Sequence, residues 1–406
     1  MKQTCDILVI GGGASGLFAA ITAAQIAPHK RIVVLEREQR VAKKLLTTGN
    51  GRCNLSNVGG LKGHYYGDVA FAEAAFSHFG VEQTCCSMAQ LGIPTVALEQ
   101  EKLFPCSLQA SSVVDMLRYA AADLGIEMIT ETTVERMIAK NPYEVYTNKG
   151  TWQADVVAIA TGGKSCVGKF EGTTGYDLLQ NMGYTVTKLT PAIVQVTTEK
   201  EPIKPLTGIK VDGQITAVCG KETRTEVGEI LFADYGVSGP PVLQLSGMIA
   251  RYGRADLMID FMPDWSEQAI YDEIWSRRLR FASRSCEDLL TGLMNKRLGQ
   301  TVLKRAGIEK LSRLGGSLTH QEVKAVVTMI KGFPLKANGT KGWSTAQVTC
   351  GGVLTKDFDP KTMASKLHRG LYVMGEVLNV TGDCGGYNLQ WAWTSGYLAG
   401  KAMGEA

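Results

Sequence analysis

Short apolar runs alternate with a glycine turn and a helix near the start of the sequence. Residues 5–10 (CDILVI) and 31–36 (RIVVLE) are each long enough for one buried strand. Between them, residues 14–27 are mostly small and apolar and predict a closely packed helix that ends before Pro28. Two buried strands joined through one helix are typical of a parallel β-α-β unit.

The same alternation returns in the second half of the sequence. Residues 151–160 predict a buried strand that runs directly into a Thr-Gly-Gly turn. Residues 371–375 predict another buried strand, and residues 387–403 predict a final helix. The two ends of the sequence therefore predict one discontinuous α/β domain, built from residues 1–190 and 345–406.

The middle of the sequence has a different pattern. Residues 191–264 are rich in Val, Ile and Thr, with frequent Gly and Pro and without a convincing long helix. Together with residues 332–344 they predict a β-rich insertion that covers the substrate. Residues 265–331 contain no proline and many Leu, Lys and Arg, which predicts a second, helical insertion.

Composition narrows the class of protein without naming an activity. Of 406 residues, 45% are apolar and 20% charged, the balance of a soluble globular enzyme. The net charge of +4 does not by itself predict a nucleic-acid partner. The apolar stretch near the N-terminus is interrupted by residues 11–13, all glycine, so it predicts neither a signal peptide nor a membrane span.

The cysteines and histidines do not show the spacing of a metal site or of a redox-active pair. The ten cysteines contain no C-x-x-C pair, which argues against a zinc ribbon or a redox dithiol and favours reduced thiols in the cytoplasm. The five histidines have neither metal-site nor triad spacing, so we expect no metal and assign no histidine a role. The oligomeric state is left open.

The first glycine turn carries a nucleotide-binding fingerprint, G-x-G-x-x-G, at residues 11–16. Gly11 permits a tight turn, Gly13 lets the backbone approach a diphosphate, and Gly16 lets the helix pack against the strand. Glu36 stands 20 residues after Gly16, where a carboxylate can bind ribose hydroxyls. The pattern favours dinucleotide binding over a purely structural turn, but it does not separate FAD from NAD.

A polar loop at residues 44–57 is a second candidate site. It has more glycine and polar positions than a connection needs, and Arg52 and Asn54 could bind a diphosphate or a ring edge. The alternative is an ordinary surface loop. Cys53 is more typical of a small packed residue than of a nucleophile, because no histidine stands near it in the sequence.

Two further turns follow predicted strands. Thr161-Gly162-Gly163 would allow a close approach of the backbone to another group, although a plain strand end has the same pattern. Residues 375–393 combine a Gly-Glu pair with a glycine-rich turn before the last helix. The N-terminus of that helix could stabilise negative charge on a reduced flavin ring. The aromatic residues Tyr387, Trp391 and Trp393 are individually more typical of core packing.

One segment is strongly basic. Residues 277–313 hold ten Lys or Arg against three acidic residues. A solvated helical face is the simplest interpretation, and a patch for an anionic substrate or for nucleic acid is the alternative.

Taken together, these motifs resemble a known family. The N-terminal fingerprint, the mid-sequence A-T-G turn and the C-terminal strand–Gly–Glu–helix arrangement are similar to the glutathione-reductase-type FAD fold. The segments TTGNGRCNLSN, IATGGKS, GVSGPPVL, VTCGGV and GEVLNVTGDCGGYNLQWAWTSG resemble the BaiN-like flavoproteins, also described as NAD(P)/FAD-dependent or aminoacetone oxidase-like oxidoreductases. The likeness extends over nearly the whole sequence.

The resemblance implies an α/β fold, in which a discontinuous Rossmann-like FAD-binding domain carries a β-barrel-like insertion and a small helical domain. It implies noncovalent FAD. The implied cofactor-binding residues are Gly11, Gly13, Ala14, Ser15, Gly16, Glu36, Arg37, Lys44, Gly49, Asn50, Gly51, Arg52, Cys53, Asn54, Thr161, Gly162, Gly163, Gly375, Glu376, Asp383, Gly386, Tyr387, Asn388 and Leu389.

The resemblance also implies an activity. A member of the family is associated with reduction of a C=C bond conjugated to a ketone in bile-acid intermediates, so the leading hypothesis is an ene-reductase acting on a 3-oxo-steroid or bile-acid-like small molecule. The sequence has no second G-x-G-x-x-G, so NAD(P)H would bind only transiently as reductant. The candidate catalytic residues, as proton donors, are Arg52, Tyr387 and Tyr235. The alternatives are an amine or aminoketone oxidase that uses O₂, a flavin-dependent RNA-modifying protein, and a flavoprotein without turnover.

Overall fold

The computed structural model describes residues 2–165 and 172–406. It divides into two compact units, residues 2–189 with 348–406 and residues 190–347. The strands are β1 (Lys2–Ile10), β2 (Ile32–Leu35), β3 (Ser56–Asn57), β4 (Tyr65–Gly67), β5 (Thr95–Ala97), β6 (Lys102–Pro105), β7 (Glu127–Ile129), β8 (Val134–Ile138), β9 (Tyr143–Thr147), β10 (Gly150–Ile159), β11 (Thr190–Ala192), β12 (Val196–Thr198), β13 (Lys210–Cys219), β14 (Glu222–Ala233), β15 (Gly236–Ser238), β16 (Ala255–Asp260), β17 (Phe333–Thr340), β18 (Val348–Cys350), β19 (Leu371–Val373) and β20 (Val380–Gly382). The helices are α1 (Ala14–Ile26), α2 (Val69–Phe76), α3 (Val81–Gln90), α4 (Ala110–Asp123), α5 (Gly175–Asn181), α6 (Pro240–Tyr252), α7 (Glu267–Arg280), α8 (Lys296–Arg305), α9 (His320–Lys331) and α10 (Tyr387–Glu405).

The first unit is organised around a seven-stranded sheet with the order β7-β2-β1-β10-β9-β8, in which β19 also pairs with β10. β1 runs parallel to both of its neighbours, so that Ile7 lies beside Ile32 on one side and Val156 on the other. The apolar runs that predicted buried strands thus form the centre of a parallel sheet, and the predicted β-α-β unit is confirmed.

Helix α10 packs against α1 through glycine. A Cβ atom at Gly396 would lie 2.6 Å from the carbonyl oxygen of Ser15, so only glycine allows this approach. Trp391 and Trp393, on the same helix, are fully buried in the core, which agrees with the core-packing interpretation. The first turn of α1 therefore packs directly against the middle of α10.

The second unit contains a closed antiparallel barrel with the strand order β12-β15-β14-β13-β16-β17. The barrel interior and the apolar faces of α7, α8 and α9 contribute to one continuous hydrophobic cluster. The Rossmann-like fold class with an inserted barrel is thus confirmed. The division of residues 191–344 into a β-rich and a helical domain stays a prediction.

One sequence expectation in this unit is wrong. Residues 191–264 contain a long helix, α6, which begins at the two prolines Pro240 and Pro241. Paired prolines suggest a turn, but proline is also well suited to the first helical position because its missing N–H group has no partner there in any helix. In the described part of the protein, no helix is long and apolar enough to cross a membrane.

Candidate cofactor and active site

The turn between β1 and α1 has the geometry of an anion-binding site. Gly11 has φ +106°, and a Cβ atom there would lie 2.4 Å from the carbonyl oxygen of Ala160. Gly13, the N-cap of α1, has no neighbouring atom within 4 Å of the place where a Cβ would stand, and no side chain of the described residues caps the helix there. The N–H groups of Ala14, Ser15 and Gly16 thus begin a helix beside open space, which suits a diphosphate.

Glu36 lies at the end of β2, next to this turn. Its carboxylate accepts hydrogen bonds from the backbone N–H groups of Gly12 (2.9 Å) and Glu38 (2.8 Å). These bonds orient the carboxylate beside the glycine turn, in the position expected of a ribose-binding residue. The neighbouring Arg37 instead forms an ion pair with Glu38 at 3.4 Å.

The polar loop folds as a short 3₁₀ segment, Lys43–Gly51, with left-handed backbone at Gly49 and Asn50. Gly51 also has a positive φ. Arg52 is exposed, and its guanidinium group lies over the ring of Phe104 at 4.8 Å. Cys53 is buried, and burial raises the pKa of its thiol to about 12. The thiol therefore stays protonated at neutral pH, which agrees with the packing interpretation.

Two candidate cofactor residues hold buried polar atoms that lack a partner. Among the described residues, Oδ1 of Asn54 and Oγ1 of Thr161 are buried and have no hydrogen-bond partner. The same is true of single atoms in Thr190, Gln195 and Arg313. An unpaired buried polar atom costs about 1–3 kcal/mol. A bound molecule with complementary donors would remove this cost at Asn54 and Thr161, so both residues fit a cofactor site.

Glu376 organises a second part of the site. Its Oε2 forms an ion pair with Nζ of Lys44 at 2.7 Å, and its Oε1 accepts hydrogen bonds from the N–H group of Thr349 (2.8 Å) and from Ser165 (3.1 Å). A Cβ atom at Gly163 would lie 2.5 Å from this carboxylate, so glycine is required for the contact. The structure thus brings Lys44, Gly163 and Glu376 together. No local spacing in the sequence connects Ser165 or Thr349 to Glu376, so the sequence does not predict them as its partners.

The turn before α10 meets the polar loop. Gly386, the N-cap of α10, has left-handed backbone, and a Cβ atom there would lie 2.7 Å from Oδ1 of Asn54. Asn388 bonds back to Gly382, through Oδ1 at 2.8 Å and Nδ2 at 2.7 Å, so its side chain holds the turn in shape. The unpaired atom of Asn54 and the N-terminus of α10 therefore lie at the same place. Leu389, two residues into α10, packs partly buried against the core.

Asp383 lies in the same turn, and its carboxylate contacts two other side chains. One carboxylate oxygen lies 3.1 Å from Nδ1 of His64, and the other accepts a hydrogen bond from the hydroxyl of Tyr66 at 3.0 Å. The His64 ring is stacked on Tyr387 with the ring centroids 4.3 Å apart. No local spacing in the sequence connects His64 to Asp383, so the sequence does not predict a role for this histidine.

The three candidate proton donors have different surroundings. Tyr387 is buried, and burial together with the charge of Asp383 raises the pKa of its hydroxyl to about 12. The phenol therefore stays protonated at neutral pH. Arg52 is exposed, as described above. Tyr235 belongs to the second unit, residues 190–347, where Nζ of Lys341 lies 4.4 Å from its ring centroid.

Comparison with known proteins gives consistent matches over the full length. Residues 5–402 match the family described as HI0933-like protein Rossmann domain. The protein is 34% identical over 404 residues to a 3-dehydro-bile acid delta(4,6)-reductase of Clostridium scindens, covering 98% of each protein. It is 30% identical over 411 residues to a ribosomal RNA dihydrouridine synthase of Haemophilus influenzae, covering 99% of each.

Among solved structures, the fold is similar to that of 3-ketosteroid delta1-dehydrogenase from Sterolibacterium denitrificans in complex with 1,4-androstadiene-3,17-dione. The TM-score is 0.51 at 13% identity, and the match covers 99% of the present protein and 100% of the dehydrogenase. This likeness concerns the fold alone.

Proposed function

The chain belongs to the HI0933-like Rossmann-domain family, and from this premise we propose that it reduces carbon–carbon double bonds conjugated to a carbonyl group. The family resemblance stated from the motifs is thereby confirmed. The protein is an FAD-dependent oxidoreductase, and the proposal concerns its substrate and its electron donor. The observation that carries the proposal is chemical. The names of the two relatives described above denote saturation of such a bond, in a 3-oxo steroid skeleton in one case and in the uracil ring in the other.

FAD fits the residues that the structure brings together. The uncapped N-terminus of α1 beside Gly13 would hold the diphosphate, and the carboxylate of Glu36 the adenosine ribose. Thr161 and Asn54 each offer a buried oxygen that still needs a partner. When bound, the flavin supplies the two electrons and one hydrogen that the double bond takes up as hydride.

The protein's own groups would supply position and charge. The N-terminus of α10 begins at Gly386 without a side-chain cap and brings partial positive charge to the turn that also holds Asn54. Negative charge that develops on a neighbouring ring or on the substrate oxygen is stabilised there. The ion pair of Lys44 with Glu376 fixes another part of the site.

For the substrate, we favour a small 3-oxo-4-ene compound of the steroid or bile-acid class. The supporting observation is the 34% identity to the bile-acid reductase over 98% of both proteins. NAD(P)H is the proposed reductant, binding transiently because the sequence has only one G-x-G-x-x-G. We also propose a cytoplasmic location, because the nine described cysteines are all free thiols.

A second substrate, uridine in RNA, is favoured by one structural observation. Helix α8 contains no acidic residue, and Arg297, Lys304 and Arg305 are exposed on it, whereas Lys296 pairs with Asp288 at 2.9 Å. Such a face can bind phosphates. Part of the remaining basic segment is neutralised within the unit: Arg277 pairs with Glu273 at 2.7 Å, and Arg313 pairs with Glu322. Uridine is therefore the second candidate.

An anaerobic titration tests the proposal. Purified FAD-loaded protein is reduced with NADH or NADPH while the flavin absorbance is followed, and it is then mixed with 4-androstene-3,17-dione or with uridine-containing ribosomal RNA. We expect the steroid to reoxidise the flavin. Reoxidation by RNA alone, lost at high salt, would assign the second substrate. If neither compound reoxidises the flavin, and amines instead reduce it with H₂O₂ released in air, the protein is an oxidase and the proposal is wrong.

A further inference from the structure

The backbone itself brings His64 and Asp383 together. Strands β4 and β20 pair antiparallel, with Tyr65 opposite Gly382. His64 and Asp383 directly flank this pair outside the two strands, and the N–H group of Asp383 donates to the carbonyl oxygen of His64 at 2.9 Å. Their side chains then meet at 3.1 Å between Nδ1 and the carboxylate. A strand pairing fixes this geometry more tightly than a chance meeting of two surface side chains would.

The pair is asymmetric in its exposure. The side chain of Asp383 is 6% exposed, whereas that of His64 is 40% exposed. A buried carboxylate behind a half-exposed imidazole fixes the orientation of the ring and favours a proton on Nδ1. Among the residues that the structure describes, no hydrogen bond occupies the other nitrogen, Nε2, which is left for an external partner.

Aromatic packing fixes the plane of the ring. His64 stacks on Tyr387 with an interplanar angle of 14°, and the hydroxyl of Tyr65 donates to the backbone carbonyl of Tyr387 at 2.8 Å. Since Tyr387 is the first residue of α10, the imidazole packs against the helix end that also lies against Asn54. The His64 ring therefore contacts the turn that also lies against Asn54, through Asp383 and Tyr387.

We propose that His64 is the proton donor of the reaction and that Asp383 is its positioning residue. This inference rests on the proposed function. Saturation of a C=C bond needs one hydride and one proton. A hydride would form the C–H bond at the carbon remote from the carbonyl, and the π electron pair would form the second C–H bond with the proton that leaves Nε2 of the His64 imidazolium, which keeps its other proton on Nδ1 beside Asp383 and is neutral afterwards. The substrate gains two electrons, which a bound reduced flavin would supply and the proposed nicotinamide reductant would replace. His64 would regain its proton from the solvent.

Histidine suits this task better than the donors predicted from sequence. An imidazole exchanges protons readily near neutral pH. Burial and the charge of Asp383 raise the pKa of the Tyr387 hydroxyl and so make it a weaker acid, and the guanidinium of Arg52 does not release its proton at neutral pH. Tyr387 therefore supports the imidazole ring by stacking and does not transfer the proton in this proposal.

The first experiment separates the two half-reactions in the FAD-loaded protein. The variants are His64→Gln and Asp383→Asn, with His29→Gln as the matched control at an exposed histidine. We expect His64→Gln to be reduced by NADPH at the wild-type rate but reoxidised by 4-androstene-3,17-dione about 100-fold or more slowly. Added imidazole should restore part of the rate in His64→Ala. Asp383→Asn should slow the same step less. When it is combined with His64→Ala, it should not raise the imidazole concentration needed to restore the rate.

The second experiment does not depend on turnover. Pentafluorophenol, which is ionised at neutral pH, imitates an enolate, and its binding to the oxidised protein is followed through the flavin spectrum. We expect His64→Gln to bind it about tenfold or more weakly, since a charge-assisted hydrogen bond is lost, while His29→Gln binds it like the wild type. FAD content and melting temperature verify that each variant is folded.

The outcomes distinguish the two proposals. If the wild type reduces the steroid and His64→Gln is reoxidised equally fast, His64 is not the donor and the inference is wrong. If the wild type reduces neither steroid nor uridine, the proposed function fails. The role of His64 is then tested by phenolate binding alone, and an unchanged affinity of His64→Gln for pentafluorophenol overturns its assignment.

Discussion

A Cβ atom at Gly400 of α10 would lie 2.4 Å from the carbonyl oxygen of Ala19 in α1. The two helices therefore touch backbone to backbone, four residues beyond the similar contact at Gly396. This contact connects distant parts of the sequence, because α1 starts at the N-terminal glycine turn and α10 starts at the C-terminal one. Glycine at positions 396 and 400 of α10 thus allows the close approach of the two helices.

We predict that Gly400→Val separates these helices. The added side chain meets backbone atoms that cannot move aside, and overpacking of this kind costs about 3 kcal/mol. The free energy of unfolding, measured by urea denaturation, should fall by that amount, and FAD affinity should fall with it. The control is Lys401→Val, an exposed neighbour on the same helix, which should change stability little. Equal stability of both variants would contradict the close helix contact.

We predict that Gly13→Asp uncouples FAD binding from stability. Gly13 is the N-cap of α1, has φ −81° and has open space at its Cβ position. Aspartate is a favoured N-cap, so the apoprotein should be as stable as the wild type or up to about 1 kcal/mol more stable. Its carboxylate would repel the diphosphate, and FAD affinity should fall more than about 100-fold.

Gly13→Asn is the matched control for this prediction, because it has the same shape without the charge. It should weaken FAD binding much less than the aspartate does, as measured by titration of apoprotein with FAD fluorescence. A protein with Asp at this position that still binds FAD like the wild type would show that the diphosphate does not lie at α1.

We predict a stability change at acid pH that depends on Glu144. This residue is buried, and its hydrogen bonds with Lys140, Lys2 and Tyr146 lower its pKa from 4.5 to about 2. A lowered pKa in the folded state means that the stabilisation is complete above pH 4.5 and is lost as the pH falls toward 2. Glu144→Gln should remove this part of the acid dependence, as followed by thermal unfolding between these pH values.

The corresponding control is Glu405→Gln, an exposed carboxylate near the C-terminus. It should leave the pH dependence of unfolding as steep as in the wild type. An unchanged pH dependence in Glu144→Gln would mean that the three partners do not lower the pKa of this carboxylate in solution.

The features predicted correctly from the sequence are those with a local signal. The G-x-G-x-x-G turn at residues 11–16 carries its strand, turn and helix within a short stretch, and the structure shows all three. The pair of His64 and Asp383 could not be found in this way, because the two residues are 319 positions apart and meet only when β4 pairs with β20. Helix α6 was missed for a different reason, since its two prolines are ambiguous between a turn and a helix start.

The contacts of Glu376 show the same limit within the candidate site. Its place after a buried strand was visible in the sequence, but its partners Ser165 and Thr349 come from two other segments of the first unit. Hydrogen bonds between distant segments depend on tertiary packing, for which one sequence carries no periodic signal. The sequence therefore indicated which segments to consider, and the structure was needed to show which side chains meet there.

The unpaired hydroxyl of Thr161 allows a prediction in which stability and binding change in opposite directions. Its Oγ1 is buried without a partner among the described residues, and it lies so close to α5 that a Cβ atom at Gly175 could not fit beside it. Thr161→Val keeps the shape of the side chain but removes the unpaired oxygen, so the apoprotein should gain about 1 kcal/mol in its free energy of unfolding. FAD should bind about tenfold more weakly, because a hydrogen bond to the cofactor is lost. The control is Thr132→Val: Thr132 is buried, but its hydroxyl donates to the carbonyl oxygen of Thr130 at 3.0 Å, so this change should lower stability and leave FAD binding as it is. If Thr161→Val destabilises the apoprotein as Thr132→Val does, the hydroxyl has a partner within the protein and is not available to the cofactor.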